Sequence, residues 1–129
     1  MRLPSTVTIT EAGPRDGLQN EALFVATEQK VALIERLVAT GIRRIEAASF
    51  VSPKAIPQMR DAADLMGTLP RRPGVTYVAL VPNAVGARSA IAALWADRPQ
   101  WCWAVVAWSA ARAGCTFGVD ACCWPRRRR

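Results

Sequence analysis

Histidine is absent from this chain of 129 residues. The side chain most often used as a general base or as a nitrogen ligand is therefore excluded. Any chemistry here must do without an imidazole. The opening residues, MRLPSTVTITEAG, contain no apolar h-region, so no secretory signal is expected. The longest uncharged apolar stretch, residues 99–111, is too short to span a bilayer, so no membrane partner is expected and a cytoplasmic location is the default. Four cysteines stand at 102, 115, 122 and 123, with spacings of 13, 7 and 1. They include no C-x-x-C pair, which argues against a zinc site. A disulfide framework is not expected in a cytoplasmic chain.

What is present is 51% hydrophobic, enough for one modest domain with a real core and too apolar for wholesale disorder. The net charge of +7 suggests a polyanion partner, but its distribution does not. Residues 1–93 carry 11 basic and 8 acidic groups; residues 94–129 carry 6 and 2, and four of those six are the terminal arginines 126–129. A terminal arginine run attracts phosphates without specificity, so no specific nucleic-acid partner is expected. Composition also changes near residue 94. All five Trp and all four Cys lie beyond it, and beyond Leu94 there is no Leu, Ile, Met, Glu, Lys, Asn or Tyr. This division predicts an organised region over 1–93 and an unrelated tail over 94–129, out of frame or disordered and without specified packing.

The first region repeats strand, loop and helix. Residues 7–11 (VTITE) alternate and are β-branched, as a strand requires. Thr27 is a candidate N-cap with Glu28 in the first turn, Val31, Ile34, Leu37 and Val38 form one helical face, and Gly41 is the expected stop. A second strand is predicted over 42–47 (IRRIEA). Pro57 can open the next helix, whose apolar side is Met59, Ala62, Ala63, Leu65 and Met66, ended by Pro70 and Pro73-Gly74. A third strand is predicted over 75–81 (VTYVALV), and 84–93 reads as a helix. The strands begin about 35 and then 33 residues apart, which means βα units on a parallel sheet. A barrel and an open doubly wound sheet both fit this pattern.

In either fold, residues just after the strands gather at one end. They are Arg15 and Asp16, Glu46 to Ser49, and Asn83. The stretch GPRDGLQNE, residues 13–21, therefore raises two readings. Gly-Pro and Asp-Gly are turn dipeptides, and Arg15 with Asp16 can be a solvated ion pair of little consequence. The same residues at a strand end, with Glu46 at the next, can hold a hard cation and an anionic substrate. Asp offers a hard oxygen for Mg²⁺ or Mn²⁺, Arg offers a planar fork for a developing enolate, and Gln19 can orient either. Gly13 and Gly17 serve the tight turn, and Asn83 reads as a helix cap rather than a contact. For Ser49, a loop hydrogen bond is as good a reading as a substrate contact.

The segments EAGPRDGLQNE (11–21), IEAASFVSPKAIPQM (45–59) and LVPN (80–83) together resemble the start of hydroxymethylglutaryl-CoA lyase. The family belongs to the metal-dependent TIM-barrel lyases and synthases. The resemblance runs collinearly over about 7–93. The related isopropylmalate and homocitrate synthases usually read R-D-G-x-Q without the following N-E, and lack F-V-S-P-K. The resemblance implies the first three βα units of a truncated (β/α)8 barrel. It implies a carbon–carbon lyase of leucine degradation and ketone-body metabolism. Its reaction is the retro-Claisen cleavage of 3-hydroxy-3-methylglutaryl-CoA to acetyl-CoA and acetoacetate. Carried over by residue, Asp16 is a ligand of a divalent metal cation, Arg15 stabilises the enolate oxygen, Glu46 positions groups or relays protons, and Gln19 and Ser49 hold the acyl-CoA substrate. It further implies a homo-oligomer. It implies two metal-binding histidines and an asparagine from later strands, and a cysteine from a mobile loop. The metal shell cannot be completed here without histidine, and none of the four cysteines sits in that context. An inactive fragment is therefore expected. The alternatives are a truncated product that binds a partner barrel or a CoA ester without catalysis, a fragment of a related Claisen-type synthase, or nucleic-acid association through the arginine tail.

Overall fold

A computed structural model describes residues 4–94 and the strand Trp101–Ala104. Its elements in chain order are α1 (Thr27–Ala39), β1 (Arg44–Ser49), α2 (Ala62–Thr68), β2 (Thr76–Leu80), α3 (Ala84–Leu94) and β3 (Trp101–Ala104). The three strands form one sheet in the order β1-β2-β3, parallel throughout. An α/β layer of parallel strands joined by helices is what the period predicts.

The first predicted strand is corrected. Only Glu11 pairs, as a single parallel bridge to Ile45: its N–H donates to Arg44 O at 3.0 Å, and Glu46 N–H donates to Glu11 O at 2.7 Å. Val7 and Ile9 are 77% and 73% exposed. Alternation over 7–11 is a sound strand pattern, but a strand needs a neighbour to bond and a layer to bury its apolar face. Among the described residues, neither covers Val7 or Ile9. The second strand lies two residues later than predicted, at Arg44–Ser49, and the third is Thr76–Leu80 within its predicted span.

The tail reading also meets the structure. Residues 95–100 and 105–129 lie outside the described residues, but Trp101–Ala104 pairs in register with Tyr77 to Leu80.

Helix α1 runs from Thr27 to Ala39, and its N-cap is Ala26 with no side-chain cap. Thr27 is thus not the cap, because its hydroxyl donates to Asp61 Oδ2 at 2.8 Å. Gly41 ends the helix as predicted, at φ 100°, a left-handed conformation that favours glycine. Pro57 opens a short 3₁₀ turn, Pro57–Met59, rather than the helix itself, and α2 follows at Ala62. Asn83 caps α3: Gly86 N–H donates to Asn83 Oδ1 at 2.9 Å. Gly86 is required there, since a β-carbon would lie 2.3 Å from Phe50 O.

The core lies between the sheet and the helices. Ile34 and Val38 of α1 and Leu65, Met66 and Leu69 on and after α2 pack with Ile45, Tyr77, Ala79 and Val81. The other face of the sheet is different in kind. Val78 is buried but stands outside that cluster, and Glu46 shares its register position.

Candidate functional site

The turn after Glu11 is a single π-helical turn over Gly13–Gly17. Asp16 N–H donates to Ala12 O at 2.7 Å, and Leu18 N–H reaches Gly13 O, the wide i→i−5 closure. Such turns recur at functional sites. Gly13 N–H donates to Glu11 Oε1 at 2.6 Å, and a β-carbon on Gly13 would stand 2.8 Å from that oxygen. Pro14 is buried, Arg15 is half-buried and Asp16 is exposed, just beyond the Glu11 bridge.

Arg15 is the hub. Its Nε donates to Glu46 Oε1 at 2.8 Å and its Nη1 donates to Asp16 Oδ1 at 2.6 Å. Gln19 Nε2 donates to the same Asp16 oxygen at 3.1 Å, and Asn20 Nδ2 donates to Asp16 O at 2.7 Å. The Arg15 and Glu46 side chains are 16% and 14% exposed, whereas Asp16 is 59% exposed. The guanidinium is thus fixed from two sides. Its Nη2 donates to no described residue, and Asp16 Oδ2 accepts from none. A held guanidinium with unused donors can receive an anionic oxygen without reorganising.

Ser49, the last residue of β1, is buried. Three positions along a regular strand would put it on the face opposite Glu46. A register shift between Glu46 and Ala48 prevents that: Glu46 pairs with Val78, Ala48 with Ala79 and Ser49 with Leu80. The extra residue, Ala47, is a β-bulge, and it returns Ser49 to the face of Glu46. Arg15, Asp16, Gln19, Glu46 and Ser49 therefore share one end of the sheet, and the first four are joined by hydrogen bonds. Asn83 is engaged as the cap of α3 and is not joined to them.

A divalent cation does not fit the described residues alone. No three His, Cys, Asp or Glu side chains among them lie close enough to share an ion. Asp16 offers a hard oxygen, but Arg15 sits 2.6 Å from the other one, and Glu46 is already bound to Arg15. One carboxylate leaves most of the octahedral shell of Mg²⁺ or Mn²⁺ to water or to oxygens from outside the described residues.

The sequence reading missed a second polar cluster on the helical side. Lys30 and Asp61 are 1% and 8% exposed, and Lys30 Nζ donates to Asp61 Oδ1 at 2.6 Å. A signal was present. Lys30 precedes Ile34 and Val38 by four and eight residues, on the buried stripe of α1, and Asp61 precedes Leu65 and Leu69 by the same steps. Among the described residues no helix is long and apolar enough to cross a membrane.

No family model matches the chain. Curated relatives do. The chain is 53% identical over 91 residues to hydroxymethylglutaryl-CoA lyase YngG of Bacillus subtilis, covering 70% of this chain and 30% of that protein. A solved B. subtilis HMG-CoA lyase matches at 52% identity and a TM-score of 0.65, over 72% of this chain and 31% of the other. An HMG-CoA lyase structure from Acinetobacter baumannii, in complex with coenzyme A and 3-methylmalate, matches at 46% identity and a TM-score of 0.64, over 67% of this chain and 28% of that one. The chain thus spans about 30% of the length of the relatives it matches. Over 91 of its residues, 70% of its length, the chain is similar to a hydroxymethylglutaryl-CoA lyase, of which it spans 30%.

Proposed function

We propose that this chain carries the Arg-Asp portion of a hydroxymethylglutaryl-CoA lyase, with its strands as βα units of a (β/α)8 barrel. The observation that carries the reading is Arg15. It is held by Glu46 through Nε and by Asp16 through Nη1, with Nη2 left for a ligand, in the motif EAGPRDGLQNE. The substrate is an acyl-CoA, 3-hydroxy-3-methylglutaryl-CoA. Its cleavage breaks the bond between the carbinol carbon and the methylene beside the thioester. The carbinol loses its hydroxyl proton and becomes the ketone of acetoacetate. The electron pair passes to the thioester as an enolate, which takes up a proton at carbon to give acetyl-CoA.

In this reading Arg15 binds the enolate oxygen and stabilises the charge that develops there. Glu46 fixes the guanidinium and is placed to relay a proton. Gln19 and Ser49 hold polar groups of the substrate on the same face. Asp16 would contribute one oxygen to the divalent cation, Mg²⁺ or Mn²⁺, that the resemblance implies. The described residues do not complete that cation's shell, so the 129-residue chain by itself is expected to be inactive. The boundary near residue 94, a cytoplasmic location and assembly as a homo-oligomer belong to the same proposal.

The test is a transplant. Residues 7–93 replace the matching segment of the B. subtilis lyase, and cleavage of hydroxymethylglutaryl-CoA is followed by acetyl-CoA release. The chimera is expected to turn over, and Arg15→Met within it to lower kcat about 100- to 1000-fold. A folded chimera without activity, or one indifferent to Arg15→Met, overturns the reading.

A further inference from the structure

The lyase reading makes no use of the most deeply buried ion pair in the described residues. Lys30 Nζ donates to Asp61 Oδ1 and to Gln58 O, both at 2.6 Å, and stands 4.5 Å from the centre of the Phe24 ring. Asp61 Oδ2 accepts from Thr27 at 2.8 Å. Gln58 Nε2, in turn, donates to Glu21 O at 2.7 Å. Arg60 stacks on the same Phe24 ring, with its guanidinium carbon 3.6 Å from the centre. The cluster therefore ties three separate pieces of chain together: the first turn of α1, the turn at Gln58, and the loop that leaves the Arg15–Asp16 turn.

That loop leads back to the site in two steps. Glu21 N–H donates to Leu18 O and Asn20 N–H to Gly17 O, each at 3.3 Å. Asn20 Nδ2 binds Asp16 O, and Gln19 binds the Asp16 carboxylate. A buried ion pair adds little net stability over an apolar pair of the same volume, because desolvation offsets its attraction. What an apolar pair cannot do is hold a backbone carbonyl, as Lys30 holds Gln58 O.

We propose that Lys30 and Asp61 are positioning residues, which fix the Gln58–Glu21 link and through it the placement of Gln19 and Asp16. The use assigned to Gln19 and Asp16 rests on the lyase reading; the geometry claim and its test do not.

Hydrogen exchange and side-chain amide NMR on the full 129-residue chain decide it. Two variants are compared with the parent: Gln58→Leu, and the apolar pair Lys30→Met with Asp61→Leu. The expected result is at least about tenfold faster exchange of the Asn20 and Glu21 amides in both, with the Glu46 and Phe50 amides unchanged. The Gln19 side-chain amide resonances should move to the values of a free glutamine. Unchanged loop exchange in Gln58→Leu overturns the proposal. So does a loss that runs equally through Glu46 and Phe50, which would make the cluster a support of the whole fold. If the apolar pair unfolds the chain, Gln58→Leu, at a half-buried surface position, still separates the expected result from both of these. No readout involves a CoA ester, so a chain that cleaves none leaves the result standing.

Discussion

Two ion pairs of this molecule invite comparison, Arg15–Glu46 at the end of the sheet and Lys30–Asp61 beneath the helices. Both are short, at 2.8 and 2.6 Å. They differ in what surrounds them. Lys30–Asp61 is sealed, with each end bonded to further protein atoms. Arg15–Glu46 is partly open, and its guanidinium keeps donors that no described residue takes. A closed network has spent its bonding capacity on the protein and can only hold geometry. An open one keeps bonding capacity that a ligand can take. Burial alone would have pointed to Lys30 as the functional cation, whereas bonding capacity points to Arg15.

The contrast can be broken most forcefully at Lys30. Lys30→Met leaves Asp61 as a buried, unpaired carboxylate and is expected to cost about 3–5 kcal/mol, read as a lower urea midpoint. Adding Asp61→Leu should recover most of that loss. If the single variant costs no more than a surface change, the pair is not sealed in solution. Arg15→Met comes next. It strips one partner from a carboxylate that water still reaches, and about 1–2 kcal/mol of stability should go, much less than at Lys30. Equal losses at the two sites would erase the distinction between open and closed networks.

The smallest effect concerns a third pair, Arg72–Glu35, whose side chains are 49% and 41% exposed. Arg72→Ala should cost about 0.5 kcal/mol or less. Its neighbour Tyr77 gives a pH signature. Burial pushes the Tyr77 hydroxyl above its usual 10.0, Arg72 pulls it back and Glu35 pushes it up again. Below that usual value tyrosine is neutral in both states and its contribution to stability is intact. Above it the unfolded chain ionises first, so stability falls as pH rises towards and through the raised folded value. Arg72→Ala should deepen this alkaline loss slightly, and Tyr77→Phe should abolish it at a cost of about 1 kcal/mol for the bond to Pro70 O. An alkaline limb that persists unchanged in Tyr77→Phe would assign it to another group.

The amino-acid order by itself determined the local elements that rest on short-range rules. Parallel βα order follows from the spacing of apolar runs, the end of α1 from Gly41, the cap of α3 from Asn83, and the meeting of Arg15 with Glu46 from the rule that residues after parallel strands share one end. Each of these depends on neighbours in sequence or on a periodicity that can be counted. Tertiary structure decided the rest. Residues 7–11 became one bridge at Glu11 because strand formation needs a bonded and covering neighbour, which alternation cannot report. Thr27 left its capping role because Asp61, 34 residues away, competes for its hydroxyl. Trp101–Ala104 gained a place beside β2 that its composition did not suggest, since an edge strand is recruited by backbone bonds that any sequence other than proline can make. The bulge at Ala47, which puts Ser49 on the face of Glu46, arises from a mismatch in register between two strands. Register is a property of the pair, so neither strand's sequence contains it.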